Sequence, residues 1–224
     1  MSARVAIYYA PAIDDPLHAA GSTWLGRDAE TNALVPQPDV PGIAEWTEEP
    51  RRYGFHATLK PPMRLRAGVR WNDFLACTSE IAARFAPFAL PPMRVADTFG
   101  FLALCETASS PSLQPLCAAC VEHLDDLRAP PDPAELARRR LAQLTEEQDA
   151  MLTRWGYPYV FDTWFFHMTL TRRLSPREHA AIRPAAEAHF AAALSLARSI
   201  AELAIFTQSA PGQNFVIAER IPLG

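Results

Sequence analysis

Two tetrapeptides repeat one pattern in opposite halves of this chain: His56-Ala57-Thr58-Leu59 and His167-Met168-Thr169-Leu170. In an extended strand, side chains two apart share a face. Each copy therefore turns a His and a Thr to one side and two apolar residues to the other. This requires a sheet whose one face is buried and whose other face can hold imidazoles and hydroxyls.

The chain has 224 residues, enough for one large domain or two small lobes around a common core. Val5, Ile7 and Tyr9 alternate along a first strand, and residues 10–50 read as long loops with a little helix. Tyr53–Leu59 is predicted as the first motif strand, stopped by Pro61-Pro62. A helix over Trp71–Phe85 and strands over Phe88–Thr98 and Phe101–Glu106 follow. Leu113, Leu116, Cys117, Cys120 and Leu124 form the apolar stripe of a helix over 112–128. Asp132-Pro133-Ala134-Glu135 starts another, predicted to run to about Trp155. Ser175-Pro176-Arg177-Glu178 is a capping box that opens a helix to about Leu194. Strands over Ile200–Gln208 and Phe215–Ile221 close the chain.

Each half thus reads motif strand, helix, two strands. This predicts an α+β fold in a single bilobed domain spanning 1–224. Lobe one covers about 1–106, a helical link about 107–155 and lobe two about 156–224, with strands free to exchange between lobes. Two antiparallel sheets, related by a pseudo-twofold duplication and with helices outside, are expected to face each other across a central cleft.

No run reaches the roughly 20 apolar residues that cross a bilayer, and no signal-peptide pattern precedes Pro11. A cytoplasmic, membrane-free protein is the expectation. Four cysteines, with Cys117 and Cys120 on a core stripe, fit a reducing compartment better than a zinc or redox site. A net charge of −4 argues against indiscriminate nucleic-acid binding. Even so, Arg51, Arg52, Lys60, Arg64, Arg66 and Arg70 surround the first motif, which suits an anionic ligand. Lys60 is the single lysine and shares the predicted face of His56 and Thr58. Arg138, Arg139 and Arg140 read as a solvated face.

Two imidazoles with two hydroxyls supply a general acid, a general base and donors to an oxyanion. His56, His167, Thr58 and Thr169 are the candidate catalytic residues. Lys60, Tyr53, Thr171 and Arg173 are candidate substrate contacts, Tyr53 reaching the cleft only through a bend at Gly54. Tyr157, Tyr159, Phe161 and Trp164 read as packing. No carboxylate accompanies either motif, so no metal and no cofactor is expected. No Gly-rich phosphate loop or Gly-x-Ser-x-Gly elbow is present.

The paired motifs resemble those of the two-histidine (2H) phosphoesterase superfamily. The strings Arg51–Lys60, Trp155-Gly156-Tyr157-Pro158-Tyr159 and Trp24-Leu25-Gly26-Arg27-Asp28 resemble its phosphonate-metabolism branch. That resemblance implies a metal-independent opening of a cyclic phosphodiester, with a cyclic ribose phosphate as the implied substrate. Two positions depart from the branch: Phe165 stands where it often has an Arg, and Arg172 where it has a small residue. The competing readings are an enzyme acting on RNA ends with 2′,3′-cyclic phosphates, or ligase-like on them, and a non-catalytic sensor of a phosphorylated ligand. Oligomeric state is not legible.

Overall fold

The computed structural model describes residues 3–224. Its centre is an antiparallel sheet of seven strands in the order β4-β5-β6-β2-β1-β8-β9. These strands are β1 (Arg4–Tyr9), β2 (Ala57–Met63), β4 (Met93–Thr98), β5 (Phe101–Glu106), β6 (His167–Thr169), β8 (Glu202–Gln208) and β9 (Val216–Pro222). Two short strands, β3 (Phe88–Leu90) and β7 (Arg198–Ile200), pair separately. Eight α-helices are found among the described residues. The α+β class is therefore as expected.

In place of two separate facing sheets, the two motif walls are neighbours in one sheet. β2 carries Ala57, Thr58 and Leu59 of the first motif, with His56 just before it, and lies on the side of β1, β8 and β9; β6 carries His167, Met168 and Thr169 of the second and lies on the side of β5 and β4. The C-terminal hairpin thus completes the wall of the N-terminal motif. The walls meet where Ala57 pairs with Met168. A further bond crosses the seam, from the Trp164 indole N–H to the Thr58 carbonyl at 2.8 Å.

The period-two pattern explains the orientation of the motifs. Ala57, Leu59, Met168 and Leu170 are each at most 1% exposed and enter the main core. At about 1.5–3 kcal/mol for each buried Leu or Met, the three larger of these side chains fix which face the histidines occupy. Helix α5 (Leu113–His123) covers this core face of β2, with Cys117 and Cys120 buried in its stripe. The Cys117 thiol donates to the Leu59 carbonyl at 3.2 Å, in keeping with a packing role. A smaller cluster of Ala6, Tyr8, Ala29, Ala204, Phe206 and Phe215 packs beside the motif face.

Several boundaries differ from the sequence reading. Residues 53–56 do not belong to the first motif strand: Tyr53 ends helix α3 (Glu48–Tyr53), Gly54 follows at φ +82°, and His56 immediately precedes β2. β2 begins at Ala57 and runs through Pro61 and Pro62, which is possible because β6, only three residues long, leaves that stretch with β1 alone as a neighbour. The helix expected over 132–155 is two. α6 (Pro133–Arg140) starts at the Asp132 cap, and α7 (Glu146–Trp155) has its own capping box, Thr145 with Gln148. Between them Gln143 adopts φ +53°, which ends the first helix. Helix α8 (Pro176–Leu194) follows its capping box as expected.

Candidate active site

The segment before His56 is pinned from three sides. Arg27, 1% exposed, donates from Nε to the Arg51 carbonyl at 2.9 Å and from a terminal nitrogen to the Arg52 carbonyl at 3.4 Å. Burial lowers its pKa to about 10, so the guanidinium stays charged at neutral pH. Gly54 lies against Ala29, where a Cβ would come within 2.6 Å of the alanine methyl. Phe55 inserts beneath helix α1 (Pro16–Leu25), stacking on Phe190 with centroids 5.9 Å apart. Gly21 makes room for that ring.

The two histidines are held alike. His56 Nδ1 lies 2.8 Å from the Gly54 carbonyl, and His167 Nδ1 lies 3.1 Å from the Phe165 carbonyl. A carbonyl only accepts, so Nδ1 carries the proton in both rings, and the neutral form leaves Nε2 as the basic atom. Thr58 Oγ1 stands 3.3 Å from His56 Nε2. Each ring also rests on an aromatic. Tyr8 stacks on His56 at 3.8 Å, and Phe165 stacks on His167 at 4.5 Å.

Register sets the spacing. With Ala57 opposite Met168, antiparallel continuation sets Thr58 against His167 and brings His56, one residue before β2, to the side of Thr169. The histidines are then diagonal neighbours across the seam, a relation that in a regular antiparallel pair corresponds to roughly 7–8 Å. Both imidazoles and both hydroxyls line one cavity of about 540 Å³. This falls within the roughly 300–1,000 Å³ of small-molecule sites.

Burial lowers both imidazole pKa values. His56 falls to about 4, mainly through desolvation and further through the neighbouring His167. His167 is lowered by the same desolvation, opposed by its bond to the Phe165 carbonyl. Without an anion between them, both rings are neutral at pH 7.

Tyr53, Thr171 and Arg173 also line the cavity. Tyr53 gets there through the turn at Gly54 and stacks on Phe215 at 5.3 Å. The Thr171 hydroxyl is already used: it accepts the Leu102 N–H at 3.0 Å, past the end of β6. Arg173 is exposed at the rim.

Lys60 does not reach the cavity, contrary to its expected role as a phosphate contact. Tyr8 pairs with Thr58 but Ile7 pairs with Lys60, so β2 carries one extra residue there. Such a bulge reverses the alternation. Lys60, 1% exposed, points to the core side instead. Its Nζ donates to the Val121 carbonyl at 2.8 Å and lies 3.5 Å from Asp125. Burial lowers its pKa to about 8, against the pull of Asp125.

The arginines around the first motif are likewise engaged elsewhere. Arg51 ties α3 to the Leu25 carbonyl, Gln37 and Thr47, while Arg52 pairs with Glu48 and Arg70 with Asp73. None of these lines the cavity; Arg4, Arg139, Arg172 and Arg173 do. Arg139, read as part of a solvated face, is the middle of three arginines on α6 and turns inward. Arg172 is committed to Glu45 and Glu178. Arg4, Tyr8, Arg139 and Tyr157 are among the cavity residues that sequence reasoning missed, Tyr157 being read there as packing. Tyr8 had a signal, since it lies on the first strand opposite the Ile7–Tyr9 core face.

Among the described residues, no group of three His, Cys, Asp or Glu side chains could hold a metal ion. Nor is any helix long and apolar enough to cross a membrane.

Fold and site together define an α+β protein with a twofold-related pair of His-x-Thr motifs in one cavity. Over residues 58–216 the chain matches a family model described as "Protein of unknown function (DUF1045)", and it belongs to that family. It is 41% identical over 228 residues to a protein of Janthinobacterium sp. (strain Marseille) named ribose 1,5-bisphosphate phosphokinase PhnN, covering 98% of this chain and 50% of that one. It is 34% identical over 214 residues to a protein of the same name from Laribacter hongkongensis (strain HLHK9), covering 95% and 50%. The chain thus spans about half the length of these curated relatives. A solved structure titled "Crystal structure of phosphoesterase" aligns over 100% of this chain and 99% of its own, at 12% identity and a TM-score of 0.45.

Proposed function

We propose that this chain opens the cyclic phosphodiester of a small sugar phosphate by two-histidine acid/base catalysis, without a metal. The observation that carries the reading is the matched pair of imidazoles in one cavity, each with Nδ1 bound to the carbonyl two residues earlier. Neutral at rest, one Nε2 takes a proton from the attacking water. The other, protonated when the anionic substrate binds, delivers its proton to the departing ribose oxygen. Thr58 and Thr169 donate to the non-bridging oxygens, where charge accumulates. One P–O bond forms and one breaks, the water's proton ends on the base, and the leaving hydroxyl's proton comes from the acid.

The sugar class draws support from the two relatives named for a ribose bisphosphate. Their kinase activity is a property of proteins about twice as long. This stretch has no Gly-x-x-x-x-Gly-Lys phosphate loop, its single lysine following Leu59. A second reading, a nucleoside 2′,3′-cyclic phosphate, is favoured by Phe99. That ring is 74% exposed at a hairpin tip and sits edge-on to Phe165, offering a base a face.

The test is a panel of ribose 1,2-cyclic and nucleoside 2′,3′-cyclic phosphates, assayed with EDTA present. Hydrolysis is expected in the wild type. If no cyclic phosphate is turned over while phosphorylated ligands still bind, the chain is a sensor and not a catalyst.

A further inference from the structure

The cavity holds more cationic and phenolic groups than one cyclic phosphodiester needs, and they collect at one end. Arg139 reaches in from α6. One of its terminal nitrogens binds Glu135 at 2.9 Å, and its guanidinium carbon sits 5.1 Å over the Tyr157 ring. Its Nε is buried with no hydrogen-bond partner among the described residues. That Nε is sealed from the cavity, but the other terminal nitrogen binds no protein group among the described residues and is the arm of the guanidinium left for a ligand.

Arg4 approaches from β1. Its Nε donates to Gln208 at 2.8 Å, and it lies over the Phe215 ring at 5.2 Å. No carboxylate lies within ion-pair distance of it among the described residues. Between the two arginines stand Tyr8 and Tyr157. The Tyr8 phenol is within electrostatic reach of both guanidiniums and of Tyr157. Burial raises the pKa of both phenols, that of Tyr157 to about 12, so both remain O–H donors. The opposite rim is different: Arg172 is neutralised by two glutamates, and Arg173 is solvated.

We infer that the Arg4–Arg139 end of the cavity is a second anion subsite, which takes a phosphomonoester carried by the same substrate whose cyclic phosphodiester lies between the histidines. The inference rests on the cyclic-phosphodiesterase reading and names the substrate class more closely: a sugar with two phosphoryl groups. Two guanidinium forks with neutral phenol donors match a phosphate dianion, which offers three oxygens in a fixed geometry. The two arginines come from β1 and from the helix after the Asp132 cap, parts of the chain far apart in sequence. The site therefore exists only in the folded protein.

The experiment compares ribose 1,2-cyclic phosphate with its 5-phosphorylated counterpart as substrates. Wild type, Arg4→Met, Arg139→Met and Arg139→Lys are assayed, with folding of each checked by thermal melting. Binding of ribose 5-phosphate is measured by calorimetry in the same proteins. Wild type is expected to prefer the phosphorylated substrate by at least about 30-fold in kcat/KM, mostly through KM. That preference should collapse towards unity in the Met variants and recover only partly with Lys, which lacks the fork. A wild-type preference under about threefold, or one that survives both Met substitutions, overturns the subsite while leaving the hydrolase reading intact. Arginine-dependent binding of ribose 5-phosphate without turnover of either substrate supports the subsite and overturns the hydrolase. Neither turnover nor binding overturns both.

Discussion

Ala57 faces Met168 across the seam between β2 and β6, and this pair lies on the local dyad that relates the two His-x-Thr motifs. An antiparallel pair has such a dyad at every directly opposed pair of residues. Identical motifs placed symmetrically about one pair are therefore matched by geometry alone. A single backbone pairing brings together side chains more than a hundred residues apart. It also explains why each motif needs an apolar residue after its His: Ala57 and Met168 anchor the seam in the core.

The catalytic assignment is tested by removing one imidazole at a time. His56→Ala and His167→Ala are each expected to lower kcat on a cyclic phosphate by at least about 10²-fold. The double variant should be little worse than either single one, because the groups act in one step. Thr58→Val should cost roughly 10²- to 10³-fold in kcat, as loss of an oxyanion donor does. Retention of wild-type kcat in either histidine variant would remove acid/base catalysis by these rings.

The direction of the histidine shifts gives a pH expectation. Desolvation lowers both pKa values, so in the free protein His56 should remain neutral down to about pH 4. The unfolded chain, with an ordinary imidazole near 6.5, binds the proton earlier. Stability from this source is present above about pH 6.5 and is lost as pH falls towards 4. Histidine NMR should show the His56 midpoint well below 6.5 in the free protein, moving upward when a phosphate ligand binds. A free-protein midpoint at or above 6.5 would contradict the neutral resting state.

The pattern of side-chain alternation carried the site in the sequence as far as it stayed regular. His56, Thr58, His167 and Thr169 share a face because strands alternate, and they line one cavity. Lys60 breaks the rule through a bulge set beside Pro61-Pro62, and a bulge has no period to read. Arg139 was hidden for a different reason. On a helix as polar as α6, which of three consecutive arginines turns inward depends on what packs beside it, here Tyr157. The split between α6 and α7 was legible in principle: Thr145 and Gln148 spell a capping box inside an apparently continuous periodicity. The single sheet was not. Strand order depends on which edges pair, and both halves offered edges of similar character.

The placement of Lys60 leads to a stability test with an activity control. Asp125 binds Arg128 at 2.7 Å and Arg154 at 3.0 Å as well as facing Lys60. Lys60→Met leaves that carboxylate satisfied and should change turnover by less than about threefold. Asp125→Ala leaves a buried ammonium without its counter-ion and should destabilise the fold by about 3–5 kcal/mol in urea unfolding. A drop in turnover of 10²-fold in a well-folded Lys60→Met protein would return the lysine to the site.

Gly21 sets helix propensity against packing in a way whose sign can be worked out. Replacing a helical glycine by alanine ordinarily stabilises by about 1 kcal/mol, and Gly21 lies within α1. Here, however, a Cβ would stand 2.1 Å from Phe55 Cδ1 and 2.2 Å from Phe55 Cγ. Phe55 is 5% exposed and packed on Phe190, so the ring cannot swing into solvent without opening the core. Overpacking of this kind costs about 1–3 kcal/mol, which outweighs the helical gain. With the helical gain subtracted, Gly21→Ala should lower stability by a net amount of up to about 2 kcal/mol. Because Phe55 precedes His56, the displaced ring should also move the imidazole relative to its partner across the dyad, cutting kcat more than it raises KM. Gly21→Ser should behave alike, since its Cβ meets the same ring. A Gly21→Ala protein more stable than wild type would mean that Phe55 has somewhere else to go, and that the segment leading to His56 is less firmly held than these contacts require.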